Sequence, residues 1–280
     1  MKVKTRFLIL SDTHDEYDEL QSLPKADVLL HCGDLTQTGS LSSYQRVIDM
    51  MKQVPAELKL IIAGDQDISL DAEWWKRNLI EDEDDPEESR KALGLFTDKS
   101  ALGAGIRYLE EGIHKFVLST GATFTLYASS YTPESDGYAF TYAHNEDRFN
   151  RPPTLSPGVQ SFATNPIPKG VDIVMTHGPP RIEDGSYTLD LNRESEACGC
   201  PYLFRAIKRV KPLLHCFGHV HEGRGIQKIN WDLPEQTVET ITPSLFVNKG
   251  NNLLGVGTTS STATPFKPDY QTLLVNAAML

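Results

Sequence analysis

At 280 residues the chain can bury a large core in one or two domains. Its 39% hydrophobic, 23% charged and 9% aromatic content is that of a globular protein, and no run approaches the roughly 18 uncharged apolar residues of a membrane span. A net charge of −11 argues against a general nucleic-acid or membrane-surface binder but not against an anionic substrate, since bound cations reverse the local sign.

The opening Met1-Lys2-Val3-Lys4-Thr5-Arg6 leads into an apolar run too short for a signal peptide, so a cytoplasmic location is expected. Apolar runs at 7–10, 28–30, 60–63, 171–175 and 213–217 read as buried strands. An amphipathic helix is predicted at 42–52 and another at 201–210, with Leu203, Phe204, Ile207 and Val210 on one stripe. This alternation is the signature of an α/β fold. The charge run EDEDDPEES at 81–89 reads as a solvated face, and 82–105 around it as a surface insertion. Residues 230–268, rich in Pro, Gly, Thr and Asn, read as a second insertion before a last strand at 272–276. No internal repeat or linker divides the chain, so 1–280 is expected to be a single domain. Cys32, Cys198, Cys200 and Cys216 are too sparse for a disulfide scaffold, and Cys198-Gly199-Cys200 lacks the spacing of zinc or redox pairs. They read as reduced, structural thiols.

The residues just beyond each apolar run carry the chemistry. The first run ends in Ser11-Asp12-Thr13-His14, the second in His31-Cys32-Gly33-Asp34 and the third in Gly64-Asp65-Gln66-Asp67. The fourth ends in Thr176-His177-Gly178 and the fifth in Gly218-His219-Val220-His221. Ligands of open α/β sheets gather beyond the carboxyl ends of strands, and five tips supplying Asp and His make a metal pocket. Mixed carboxylate and imidazole donors suit Zn, Fe, Mn or Co rather than calcium. The candidates Asp12, His14, Asp34, Asp65, His177, His219 and His221 exceed the needs of one tetrahedral ion; two ions sharing Asp34 would use them all. A lone D-x-H is usually a turn or helix cap, so the weight rests on the ordered set. His31, His114, His144 and His215 read instead as satisfied core histidines.

In this order the motifs resemble the calcineurin-like metallophosphoesterase superfamily, whose pattern runs D-x-H, G-D, G-N-H-D/E, H and G-H-x-H. Further matches are MTHGPP at 175–180 and FGHVHEGRGI at 217–226, with weaker ones in LYASSYTP at 126–133 and LLVNAA at 273–278. The nearest branch is one of small single-domain enzymes with animal phosphodiesterase and fungal members. The resemblance implies two packed β-sheets flanked by helices. One metal would take Asp12, His14, Asp34 and His221, and the second Asp34, Asp65, His177 and His219. Two transition-metal ions, Mn, Fe or Zn, are the expected cofactors, and a small molecule the expected partner.

The chain departs from the pattern at one place. Asp65 stands where the superfamily has Asn, and Gln66 where it has the His that protonates the leaving group. Gln66 and Asp67 are taken as the catalytic candidates. The leading expectation is a dinuclear-metal-dependent hydrolase of a phosphodiester or phosphomonoester, with a metal-bridging hydroxide as nucleophile. An alternative repurposes the same centre for hydrolysis, C–C cleavage or rearrangement of a carbonyl-containing metabolite, with the aromatic stretch 124–149 walling the pocket. A third is an inactive metal-binding protein.

Overall fold

The structure, a computed structural model, describes residues 3–16, 23–134, 137–152, 159–161, 163–231, 237–241 and 269–279. The first sheet holds four parallel strands in chain order: β1 (Phe7–Leu10), β2 (Val28–His31), β3 (Leu58–Ile61) and β4 (Ile106–Tyr108). Leu10 pairs with His31 and His31 with Ile61, which levels three carboxyl ends. Because side chains alternate across a strand, β2 serves two cores. Val28 and Leu30 face the second sheet, and Leu29 faces the helices.

Those helices are α1 (Leu41–Gln53), α2 (Ala72–Asn78), α3 (Glu88–Thr97) and α4 (Lys99–Gly103). Ser40 caps α1 by accepting the Ser43 N–H, and Tyr44, Val47, Ile48 and Met51 recur at helical spacing on its buried face. Pro55 lies just beyond its end. Within 82–105, expected as a surface insertion, α3 and α4 bury Ala92, Phe96 and Ala101 in the same core as the apolar face of α1. The acidic run ahead of α3 stays at the surface, as do residues 97–100 and Leu102. The Phe96 ring lies 5.6 Å from that of Tyr44 and 5.7 Å from that of Tyr108. Phe96→Ala is therefore expected to cost about 3–5 kcal/mol of stability in urea unfolding, as buried Phe truncations do. A loss below about 1 kcal/mol would return this segment to the surface.

The chain crosses to the second sheet through β5 (Gly112–Val117) and β6 (Thr123–Ser129). Two short parallel pairs follow: β7 (Thr132–Pro133) with β8 (Thr141–Tyr142), and β9 (Glu146–Asp147) with β10 (Gln160–Ser161). The remaining strands are β11 (Ile173–Thr176), β12 (Leu214–Phe217), β13 (Gly225–Asn230), β14 (Thr237–Thr240) and β15 (Gln271–Asn276). Their order is β14-β13-β15-β12-β11-β6-β5, with β6, β11, β12 and β15 parallel and the others antiparallel to their neighbours. Helix α5 (Pro201–Val210) begins with Pro201 behind its cap Cys200 and stops at Lys211, in the left-handed region at φ 50°, before Pro212. It buries Leu203, Ala206, Ile207 and Val210; Phe204, expected on that stripe, is only half buried, beside Trp231.

Leu30, Leu60 and Ile62 of the first sheet meet Leu126, Ile173, Met175 and Cys216 of the second in the central core. The result is the expected α/β sandwich of two sheets with helices on its outer faces. The excursion expected at 230–268 lies mostly outside the described residues, although β14 within it extends the second sheet. No helix among the described residues is long and apolar enough to cross a membrane.

Candidate metal centre

Five strand tips meet at one edge of the sandwich. The seven metal-ligand candidates gather there, Asp12, His14 and His221 on one side and Asp65, His177 and His219 on the other, with Asp34 grouped with Asp12 and His177. Asp34 stands between them. Its Oδ1 is 3.4 Å from Nε2 of His177, and its Oδ2 is 3.6 Å from Nε2 of His14.

The backbone is bent to achieve this. Asp12, His14, Asp34 and His219 all have left-handed φ, at 55°, 42°, 49° and 67°. Non-glycine residues adopt that region at a cost and hold it where the surroundings demand it. Glycines allow the loops to close. A Cβ at Gly64 would lie 2.1 Å from Oδ1 of Asp34, and one at Gly218 would lie 2.0 Å from Oδ2 of Asp12.

The donor set fits cations. Nδ1 of His177 lies 2.9 Å from the carbonyl of Cys32, to which it donates, so Nε2 faces Oδ1 of Asp65 at 2.7 Å. Nδ1 of His219 points at the same oxygen from 2.9 Å. Backing a ligand imidazole with a carbonyl is a recurrent device of metal sites. Across the site, Nε2 of His14 and Nε2 of His221 face each other at 3.3 Å, close enough for one to donate to the other or for both to turn to a cation. Without metal the charges are strained. Burial pushes Asp34 well up, and the Asp65, Asp12 and Asp67 carboxylates add to this, with His177 opposing. Asp12 is held down to about 2: burial acts against its charge, but hydrogen bonding to His221 and the His177 charge outweigh it. Burial likewise opposes charge on His177, yet Asp34 and Asp65 raise its pKa well above the ordinary value.

A cavity of about 480 Å³ opens over the first group, lined by Asp12, Thr13, His14 and His221 with Glu16, Gln37, Thr38, Gln66 and Met279. Gln66 thus reaches the space where a substrate would sit, and its backbone N–H donates to Oδ1 of Asp34 at 3.0 Å. Asp67 does not line it. Its buried carboxylate accepts from the N–H groups of Gly64, Leu35 and Thr36 and from the Thr36 hydroxyl, and so ties the third tip to the second. The aromatic stretch is not a pocket wall either. Tyr127, Phe140 and Tyr142 are buried in the cores, Tyr131 lies under the Arg148 guanidinium and Tyr138 is exposed.

The histidine readings need revision as well. His144 is exposed and His114 half-buried, while His31 and His215 are fully buried, each with one ring nitrogen that has no partner among the described residues. Sequence reasoning also passes over Asn276, whose buried amide donates to the carbonyls of Val220 and Leu189 and pins the last tip. A polar residue closing the final apolar run is the available signal.

The profile of the calcineurin-like phosphoesterase family matches residues 5–223. Human metallophosphoesterase domain-containing protein 1 is 30% identical over 224 residues, 79% of this chain and 62% of that protein. A probable rhamnogalacturonate lyase C of Emericella nidulans is also 30% identical, over 84% of this chain but only 19% of that much longer protein. This chain thus spans about three fifths of the length of the first relative and about a fifth of the second. Among solved structures, TT1561 of Thermus thermophilus superposes with a TM-score of 0.47 at 14% identity, over 84% of this chain and 88% of that one. With the family profile covering most of its length, the chain belongs to the calcineurin-like phosphoesterase family.

Proposed function

We propose that the chain is a dinuclear-metal-dependent hydrolase of phosphodiesters or phosphomonoesters. The observation that carries this reading is Asp34, whose two oxygens face two separate ligand groups, one beside His14 and one beside His177. Asp12, His14, Asp34 and His221 would hold one ion, and Asp34, Asp65, His177 and His219 the other. Such a pair, when bound, supplies Lewis acidity toward a phosphoryl oxygen and lowers the pKa of coordinated water. The protein's own part is to fix the donors on strained tips, to present Gln66 as a hydrogen-bond donor at the cavity, and to keep Asp67 behind it as a brace. Metal analysis of the purified chain together with a phosphoester panel tests the reading. Two ions per chain and turnover that tracks metal content support it; fewer than two under metal-replete conditions, or no turnover at full loading, count against it.

Asp65 sharpens the expectation. Two divalent ions bring a charge of about +4, and three carboxylates leave about +1 where an Asn at 65 would leave about +2. Asp65→Asn keeps an oxygen toward His177 and His219, so both ions should be retained. Activity toward anionic phosphoesters should rise about tenfold, because one unit of charge close to the substrate is removed. Loss of an ion, or a fall in activity, would show this charge account to be wrong.

Gln66 favours a second reading. A carboxamide donates a hydrogen bond but shuttles no proton near neutral pH, so the site also suits a carbonyl-containing metabolite that Gln66 orients. Full metal loading without phosphoester turnover is its signature.

A further inference from the structure

His31 and His215 are buried histidines, one in each sheet. His31 ends β2 three residues before Asp34, and His215 lies in β12 four residues before His219. Both rings are fully buried, and burial lowers both pKa values to about 3, so each ring is neutral and carries one proton. The hydroxyls they meet decide which nitrogen holds it. Nε2 of His31 is 3.0 Å from Oγ1 of Thr13, which lies 3.3 Å from the Leu35 carbonyl. Nε2 of His215 is 2.9 Å from Oγ1 of Thr176, which lies 2.7 Å from the Gly178 carbonyl. A carbonyl only accepts, so where each hydroxyl gives its single hydrogen to the carbonyl, the imidazole donates to that hydroxyl from Nε2. Nδ1 is then the bare nitrogen in both rings, and neither Nδ1 has a hydrogen-bond partner among the described residues.

The groups at the far end of each chain of bonds lie in the site's loops. Thr13 stands between Asp12 and His14, and Leu35 directly follows Asp34. Thr176 directly precedes His177, and Gly178 directly follows it. We propose that His31 and His215 are paired positioning residues: each donates from Nε2 to a threonine hydroxyl that fixes the backbone beside a metal-ligand candidate. The inference rests on the metal-centre reading above. Without the donor, the hydroxyl is free to turn away from its carbonyl and the tip loosens. Outer-shell partners of metal ligands are typically worth 10–100-fold in metal affinity.

The two amide side chains separate this role from plain packing. A Gln amide nitrogen reaches the position of Nε2, whereas an Asn amide reaches only that of Nδ1. Calorimetric titration of the metal-stripped chain with Mn²⁺ is expected to show His31→Asn and His215→Asn about tenfold weaker than wild type, and His31→Gln and His215→Gln within about threefold. Nitrogen NMR of ¹⁵N-histidine-labelled wild type is expected to show both rings protonated at Nε2 and bare at Nδ1, unchanged from about pH 5.5 to 8.5. A proton on Nδ1 overturns the inference without any variant having to fold. So do Asn and Gln variants with equal Mn²⁺ affinity while wild type binds normally. Failure of wild type itself to bind Mn²⁺ would overturn the metal-centre reading, and this inference with it.

Discussion

Asp34→Ala is expected to take the metal content of the protein from about two ions per chain to near zero. Its two oxygens lie between the groups, 3.4 Å from Nε2 of His177 and 3.6 Å from Nε2 of His14. Two divalent ions roughly 3.5–4 Å apart repel by on the order of 15 kcal/mol even at an effective dielectric of 20, and a shared carboxylate offsets much of that. If Asp34 is shared as proposed, removing it would take one donor from each ion and the shielding from both. The variant should still fold, because burial already opposes an ionised Asp34 in the metal-free protein, so its removal takes away a carboxyl that is costly to keep there. Elemental analysis reads the metal directly. Thermal unfolding with and without a chelator gives a second view: wild type should lose stability on chelation, and Asp34→Ala should not respond. Retention of one tightly held ion would mean that Asp34 serves a single metal.

Why the site is legible in the sequence while parts of the fold are not comes down to where each residue finds its partner. The five tips can be read because each apolar run breaks abruptly into Asp or His, and all five converge in the structure. Strand bounds move where a polar residue sits inside a strand. The third apolar run covers 60–63, yet β3 is Leu58–Ile61, because Lys59 is buried and sends its ammonium to the Ala104 carbonyl. The antiparallel strands β5 and β13 escape a sequence reading for a related reason. Gly112–Val117 alternates exposed with half-buried positions and Gly225–Asn230 carries Gln and Lys, so neither makes an apolar run. Phe96 is hidden by the charge run before it. Thr13, Thr176 and Asn276 are invisible as site residues because a buried polar group declares itself only through a partner distant in sequence; Asn276 meets Val220 and Leu189, 56 and 87 residues away.

Gln66→His is expected to raise turnover of phosphoesters with poor leaving groups by up to about 10²-fold. The side chain at 66 lines the cavity beside Asp12, His14 and His221, and its backbone is anchored by the bond to Oδ1 of Asp34, so a substituted imidazole would enter the same space. A Gln there stabilises a departing alkoxide only by hydrogen bonding, whereas a His can hand over a proton near pH 7. The size of the gain should therefore follow the leaving group. Alkyl phosphodiesters, whose alkoxides depart with difficulty, should gain most. A p-nitrophenyl ester, whose phenolate leaves as a stable anion, should gain less than about threefold. The pH profile should change with it: a new limb should appear in the alkyl-ester rate of Gln66→His, falling as the imidazole loses its proton, and be missing for the p-nitrophenyl ester. A carbonyl substrate predicts the opposite sign. There Gln66 serves as a neutral donor, and an imidazole of different shape and charge should lower the native activity while leaving metal content at two. Equal gains on both ester classes, or no gain on either, would show that the missing acid is not what limits this site.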